Sequence, residues 1–458
     1  MNGIKRSMLS FPALADSPKV RNLTFVLLYF SQGIPEGITL LAIPAWMAMS
    51  GKSTLEIAGY SAAVMIPFSL KILLAPMMER YTYLPMGRRR PWLLFGQLGI
   101  FCSLIGLSLV PDPVNNIALI TVAALCVHTF IMFQDIATDS LVIDIVPVEQ
   151  QGKANSLMWG AKSIGASVSL FAGSWLINTY GLSSSVLTMS AATLMVLLLP
   201  LSLRERSGER LLPWSKGKAA PESILLTVDS WGKLLTSFKR VVFLKNSLVM
   251  LSAIFFIEGA LHFMRTLLPI FTIKELGWSN ILYSNVYSTA SLLGGIIGML
   301  IGGFALQRMG LVRYIQSVLL LVALLGVTMA ACLPLWKNIM VVYGFIGAFC
   351  TLLTLINIGL LALAMHLCWK RISAVQFTFA MTIFNAGLAS GAALLGVLRS
   401  LLSWQLLFLA FALLVMVGMT VLQFIRSRKH REQVEMLEKN YLEILKAEGS
   451  LLVRSETS

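Results

Sequence analysis

The sequence predicts an all-α integral membrane protein of twelve transmembrane helices in two six-helix bundles, with both termini cytoplasmic. Three observations carry this expectation. Of 458 residues, 57% are hydrophobic and only 12% are charged, and mean hydropathy is +0.79. Soluble domains carry about 25% charged residues, so a soluble enzyme, a disordered chain and a disulfide-stapled secreted module are excluded. The apolar residues gather into runs of spanning length, and the positive charges alternate between the loops joining them.

A spanning helix needs about 20 mainly apolar residues. The runs 91–110, 113–134, 276–307, 314–336, 338–365, 372–398 and 400–425 contain no charge at all. Segments 22–47, 54–78 and 245–272 carry isolated charges, and 163–203 is too long for one helix. A break near Asn178-Thr-Tyr-Gly181 makes it two, for twelve spans in all. With the N-terminus inside, 29 of the 36 Lys and Arg fall in the termini and even-numbered loops. Four (Lys52, Lys274, Lys337 and Arg399) fall in the opposite loops. This is the positive-inside pattern, so the net charge of +15 reflects topology and implies no nucleic-acid partner.

Lys5 and Arg6 lead into Ser, Pro and Asp instead of a short apolar stretch, unlike a signal peptide. The five cysteines (102, 126, 332, 350 and 368) show no CxxC spacing and read as small buried hydrophobes. The chain divides into a cytoplasmic N-terminus (1–21), a first bundle (22–203), a cytoplasmic linker (204–244), a second bundle (245–425) and a cytoplasmic helical tail (426–458). In the linker, Ile224, Val228, Trp231, Leu235, Phe238 and Val242 recur at helical spacing, which predicts an amphipathic helix on the inner leaflet. In the tail, Val434, Leu437, Tyr441 and Leu445 form one stripe of a short helix. Glu36-Gly37 and Glu258-Gly259 occupy matching places in spans 1 and 7, a weak internal repeat of the kind that builds two rocking bundles. Gly294, Gly298 and Gly302 in span 8, with Gly387 and Gly391 in span 11, mark close helix packing or gating contact.

Ionisable residues inside a span cost at least about 2.5–3.5 kcal/mol on insertion scales, so each is a functional candidate. Asp135 and Asp139 are four apart on one face of span 4, with His128 on the same stripe. They read as proton carriers or as partners of the buried Lys71 and Lys162, which in turn pair with an aspartate or hold an anionic substrate. Glu258, His262 and Arg265 form one mixed-charge stripe in span 7. A cavity lined by spans 1, 4, 7 and 10 would gather Glu36, Asp135, Glu258, His262, Arg265 and Asn357. Glu36, Asp135, Asp139 and Glu258 are therefore the proton-coupling candidates. His262, Arg265, Lys71, Lys162, Gln134 and Asn357 are the substrate-binding candidates. Glu79-Arg80 followed by Arg88-Arg89-Arg90, with Gln307-Arg308 as the second-half copy, forms either a cytoplasmic gate or a plain positive-inside anchor. There is no HExxH, GxSxG, Walker loop or cluster of metal ligands, so no enzyme activity, metal or cofactor is expected.

These residues fall into recognisable stretches: Tyr29-Phe-Ser-Gln-Gly-Ile-Pro-Glu-Gly37; Ile66-Pro-Phe-Ser-Leu-Lys71 through Ala75-Pro76 to Glu79-Arg80-Tyr81; and Gly87-Arg-Arg-Arg-Pro-Trp92. Gln134-Asp-Ile-Ala-Thr-Asp139 running into Val146-Pro-Val-Glu-Gln-Gln-Gly152, and Ser373-Ala-Val-Gln-Phe377, complete the set. In them the chain resembles the major facilitator superfamily, and within it the branch around the AmpG muropeptide permeases. Relatives in that branch import peptidoglycan fragments, siderophores or acetyl-CoA. The chain departs from the pattern in having Glu79 where Asp is usual and Gln307 in place of the second-half acid, and in lacking the two extra helices of some muropeptide permeases. The resemblance implies a monomeric, bacterial inner-membrane protein importing a polar or anionic solute by proton symport, its partners being solute, protons and lipid. A non-transporting assembly or sensor factor on a transporter scaffold is the alternative.

Overall fold

The structure, a computed structural model, describes residues 13–228 and 230–456, without the side chains of 444–456, Ala48, Thr54, Leu55, Ala58, Ser69, Asn280 and Ile281. The expectations placed on Lys5, Arg6 and the Leu445 side chain lie outside these residues. Among the described residues, eleven helices are long and apolar enough to cross a membrane. One of them, Val148–Ser202, is two, because Gly181 at φ +84° leaves the helical region. The twelve spans are α1 (Pro18–Met47), α2 (Gly59–Arg80), α3 (Arg90–Ser108), α4 (Ile117–Ile145), α5 (148–180), α6 (182–202), α7 (Lys245–Lys274), α8 (Leu282–Met309), α9 (Leu311–Ala331), α10 (Ile339–His366), α11 (Lys370–Leu401) and α12 (Trp404–Leu422).

Local chemistry starts these helices. Pro18 opens α1 at a position where its missing N–H costs nothing. Ser279, Asn338 and Ser403 cap the starts of α8, α10 and α12 by accepting the N–H of Leu282, Met340 and Leu406. Pro35 interrupts the hydrogen bonding of α1, and the helix widens into a π turn over Ile38–Ala42. Thr39 in that turn donates to the Pro35 carbonyl at 2.6 Å.

The two halves are built alike. α1 lies against α5, and α7 against α11. Glycine makes both approaches possible: a Cβ on Gly33 would stand 2.3 Å from the Lys162 carbonyl, and one on Gly391 2.0 Å from that of Gly259. The halves join through α2 on α11, α4 on α11, and α5 on α8 and α10. Across that seam Ser156 of α5 donates to the Gly298 carbonyl at 2.8 Å, and Asn155 to that of Ile358 at 2.7 Å. The glycines of α8 serve both packings: Gly298 and Gly302 face α10, and the neighbouring Gly295 and Gly303 face α5.

The linker runs along one end of the bundle, and the described chain ends lie there too. Leu14 and Ala15 donate their N–H groups to the carbonyls of Arg204 and Glu205 at 2.9 and 3.0 Å. The predicted single amphipathic stripe is divided. Pro221–Leu225 is a separate short helix, and the main linker helix is Trp231–Val242, capped by Ser230. Its buried side is Leu234, Ser237, Val241 and Val242, with Phe238 edge-on to Phe379 of α11 at 5.3 Å. Trp231 and Leu235 remain exposed. The apolar surface of this helix is wider than one stripe, and its protein-facing side is rotated from the predicted one. The tail forms the helix Ser427–Glu456, which folds back on the bundle through the buried Tyr441.

Candidate functional site

In the first half, Glu36, Lys71, Asp135, Asp139 and Lys162 each face a partner drawn from a different helix. Lys71 of α2 is ion-paired with Asp135 of α4, which also accepts from Gln32 of α1 at 2.8 Å. Lys162 of α5 meets Glu36 of α1 at 2.7 Å, with its ammonium 5.5 Å from the Trp159 ring centre. Asp139 accepts a hydrogen bond from Tyr29 of α1. His128 shares a 2.7 Å hydrogen bond with Thr39 in the widened turn of α1. Gln134 donates to the Leu28 carbonyl at 3.1 Å and so ties α4 to α1. Asp135 and Asp139 thus share a face of α4 as the spacing requires, and each is occupied differently, one by a lysine and one by a tyrosine.

The second half contrasts with this. Glu258 of α7 is 1% exposed, and its Oε1 has no hydrogen-bond partner among the described residues. His262 Nδ1 and Asn357 Oδ1 are buried and unpartnered as well. Arg265 is exposed, and no acid lies within ion-pair distance of it among the described residues. Near it on α8, Tyr283 and Tyr287 stack at 5.6 Å with their planes tilted by 31°. The expected single gathering of charges is two clusters, one in each half. No hydrogen bond or ion pair joins Glu36 or Asp135 to Glu258, His262 or Arg265 among the described residues.

At the linker end the halves are closed by a four-charge cluster. Arg88 and Arg89, from the loop before α3, bracket two acids: Glu79 at the end of α2 (2.5 and 2.9 Å) and Asp144 near the end of α4 (3.0 and 2.9 Å). All four side chains are buried. The cluster grips the start of α11 in the other half. Arg88 donates to the Lys370 carbonyl at 2.8 Å and to that of Arg371. Arg89 donates to Ser373 Oγ at 2.9 Å, and Ser373 in turn to Asp144 at 2.8 Å. Glu79 accepts the Ala374 N–H at 2.7 Å, placing a carboxylate on a helix N-terminus.

Two positive and two negative side chains of one half neutralise each other, while the bonds across the seam go to carbonyls, a hydroxyl and an amide. The halves can therefore part without leaving a buried charge unpaired, the costly event for such networks. Of the other gate candidates, Arg90 binds the carbonyls of Pro200, Leu201, Arg210 and Leu211 within its own half and the linker. Arg80 lies over the Tyr81 ring, and Gln307 and Arg308 are exposed outside the cluster. Sequence reasoning missed Asp144, Ser373 and Tyr29 as members of these networks. Asp144 carried a signal: it is a third acid in α4, at the same end as the arginine run.

The linker fastens this loop as well. Glu205 accepts the N–H groups of Arg89 and Arg90 at 2.8 and 3.2 Å, and Glu209 accepts from Ser223 at 3.2 Å. Burial, helped by the neighbouring Glu205 charge, pushes Glu209 up to about 7.

Two six-helix halves, close-packed by glycine and joined over a charge cluster, define a twelve-helix carrier fold. The sequence pattern of the Major Facilitator Superfamily matches residues 25–375, and the chain belongs to that superfamily. It is 24% identical to the anhydromuropeptide permease of Escherichia coli K12 over 295 residues, 64% of this chain and 57% of the permease; the match thus spans little more than half of that relative. It is 20% identical to the putative transporter AmpG 3 of Rickettsia prowazekii, over 90% of this chain and 97% of that one. A solved structure of the E. coli fucose:proton symporter FucP superimposes with a TM-score of 0.67 at 13% identity, over 89% of this chain and 98% of that one.

Proposed function

We propose that this chain is a secondary active transporter of a bacterial inner membrane that imports a polar or anionic solute, of the cell-wall-fragment or siderophore class, with protons by alternating access. One observation carries the reading: among the buried carboxyls of the central spans, Asp135 and Glu36 are neutralised by lysines, and Asp139 and Glu258 face no cation at ion-pair distance among the described residues. These two can exchange a proton without dissolving an ion pair. Each half then has one proton site, Asp139 supported by Tyr29 and Glu258 on the stripe of His262 and Arg265.

Arg265 is the cation left over for the solute, with Tyr283 and Tyr287 as an aromatic wall and His262 and Asn357 as polar contacts. Arginine suits a carboxylate because its planar fork binds both oxygens. Lys71 and Lys162 serve the acids in this arrangement, not the solute. The positive-inside pattern makes the linker end cytoplasmic, so the closed cluster Glu79–Arg88–Arg89–Asp144 seals the inner side. The chain's similarity to an anhydromuropeptide permease makes a cell-wall fragment the first solute to try.

Uptake of labelled anhydromuropeptide into proteoliposomes under an imposed inward proton gradient tests this. Accumulation that a protonophore collapses is the expected result. Accumulation unchanged by protonophore removes the coupling, and no uptake of muropeptides or siderophores removes the solute class.

A further inference from the structure

The C-terminal helix has no task in the transport reading, yet its Glu438 and Tyr441 converge on one side chain. Arg371 is 0% exposed and lies in Lys370–Ile372, the tight first turn of α11. Its guanidinium meets Glu438 of the tail twice, at 2.6 and 3.3 Å, and stands 4.0 Å over the Tyr441 ring. The Trp369 indole donates to the same Glu438 at 2.6 Å and meets Tyr441 edge-on at 6.2 Å. Further up the tail, a ring nitrogen of His430 bonds the Leu367 carbonyl at 2.8 Å. The Arg426 N–H donates to Asn246 of α7 at 2.9 Å. The backbone of the 370–371 turn serves the opposite side, because its two carbonyls are those that Arg88 holds in the gate. One turn carries the gate on its main chain and the tail on its side chains.

We propose that the C-terminal helix is an intramolecular latch, whose Glu438 and Tyr441 hold the Trp369–Ile372 turn in the gate-closed position and bias the protein against opening at the linker end. The inference rests on alternating access. Arg371 also donates to the Leu225 and Thr227 carbonyls of the linker, at 2.6 and 3.4 Å. That linker segment belongs mechanically to the first half, because Arg206 bonds both Ser223 and Glu205 (2.9 and 2.6 Å), and Glu205 holds the loop of Arg89. Opening carries Arg371 away from the linker segment and lets water reach it. A carboxylate attracts a guanidinium more strongly out of water than in it, so Glu438 stabilises the closed state more than the open one. Only such a difference shifts an equilibrium.

Spin labels at Lys19 and Arg313, both exposed at the linker end and in opposite halves, report the opening by double electron–electron resonance once the native cysteines are replaced. Glu438→Gln raises the open-to-closed ratio by about tenfold, equivalent to about 1.4 kcal/mol. Tyr441→Ala moves it the same way, Glu438→Asp returns part of the shift, and ending the chain at Arg426 opens it at least as far as Glu438→Gln. Arg89→Ala, which cuts the gate itself, is the control. Opening by Arg89→Ala with none by Glu438→Gln or by the shortened chain overturns the latch. No opening by any variant overturns the alternating-access reading and the latch with it.

Discussion

Asp139 and Glu258 differ from Asp135 and Glu36 only in what faces them, and that difference predicts separable phenotypes. Asp139→Asn and Glu258→Gln abolish gradient-driven accumulation and leave solute counterflow without a gradient in place, because neither change strands a cation. Asp135→Asn abolishes both and lowers the melting temperature, since Lys71 is left buried without its acid; breaking a buried pair costs about 3–5 kcal/mol. Counterflow retained by Asp135→Asn would contradict this division. Outside the spans, the buried Glu209 makes a pH prediction. Its folded value of about 7 lies above the ordinary 4.5, so folding favours the protonated form. The stability it contributes is complete below about pH 4.5 and is lost as pH rises through about 7. Melting temperatures recorded from pH 5 to 8 should fall more steeply for the native chain than for Glu209→Gln. At this scale the sequence marked the buried charges, because an ionisable residue in an apolar run is conspicuous. It left open which lysine serves which acid, since helical spacing fixes a face and not the helix it meets.

Among the elements, the glycine approaches are the most exacting contacts. A Cβ on Gly391 meets the main chain of Gly259, which cannot swing aside, whereas one on Gly344 in α10 meets nothing within 4 Å. Gly391→Ala is expected to cost about 1–3 kcal/mol as overpacking, while Gly344→Ala stays within about 0.5 kcal/mol. Melting temperatures of the two variants in detergent check this, and equal values would show that α7 and α11 adjust freely. The four-residue spacing of Gly387 and Gly391 announced a close approach but not its partner. The linker helix was legible as amphipathic, yet its seat was not. Leu234 and Val241 face the bundle because α2 and α11 lie against this helix, which the periodicity of the linker does not encode.

For the whole molecule, the proposed transport cycle assigns to the Glu79–Arg88–Arg89–Asp144 cluster the choice of which end is closed. Its charges balance within one half, so its strength toward the other half rests on a few hydrogen bonds to the start of α11. Arg89→Ala removes two ion pairs and the bond to Ser373. Amide hydrogen exchange across 370–376 should then rise sharply, with little change in the centres of α10 and α12. Unchanged exchange would mean that packing of α2 and α5, not the cluster, holds the halves together.

Span number, the two-half division and the candidate charges follow from the sequence alone. They depend on local quantities: the length of apolar runs, the break at Gly181 and the alternation of lysine and arginine between loops. Tertiary structure alone decided the pairings: Lys71 with Asp135, Lys162 with Glu36, Asp144 into the gate, and Glu438 onto Arg371 across 67 residues of chain. Such contacts join helices far apart in sequence. A charge in a low-dielectric interior is settled by whichever group the fold brings within a few ångströms of it.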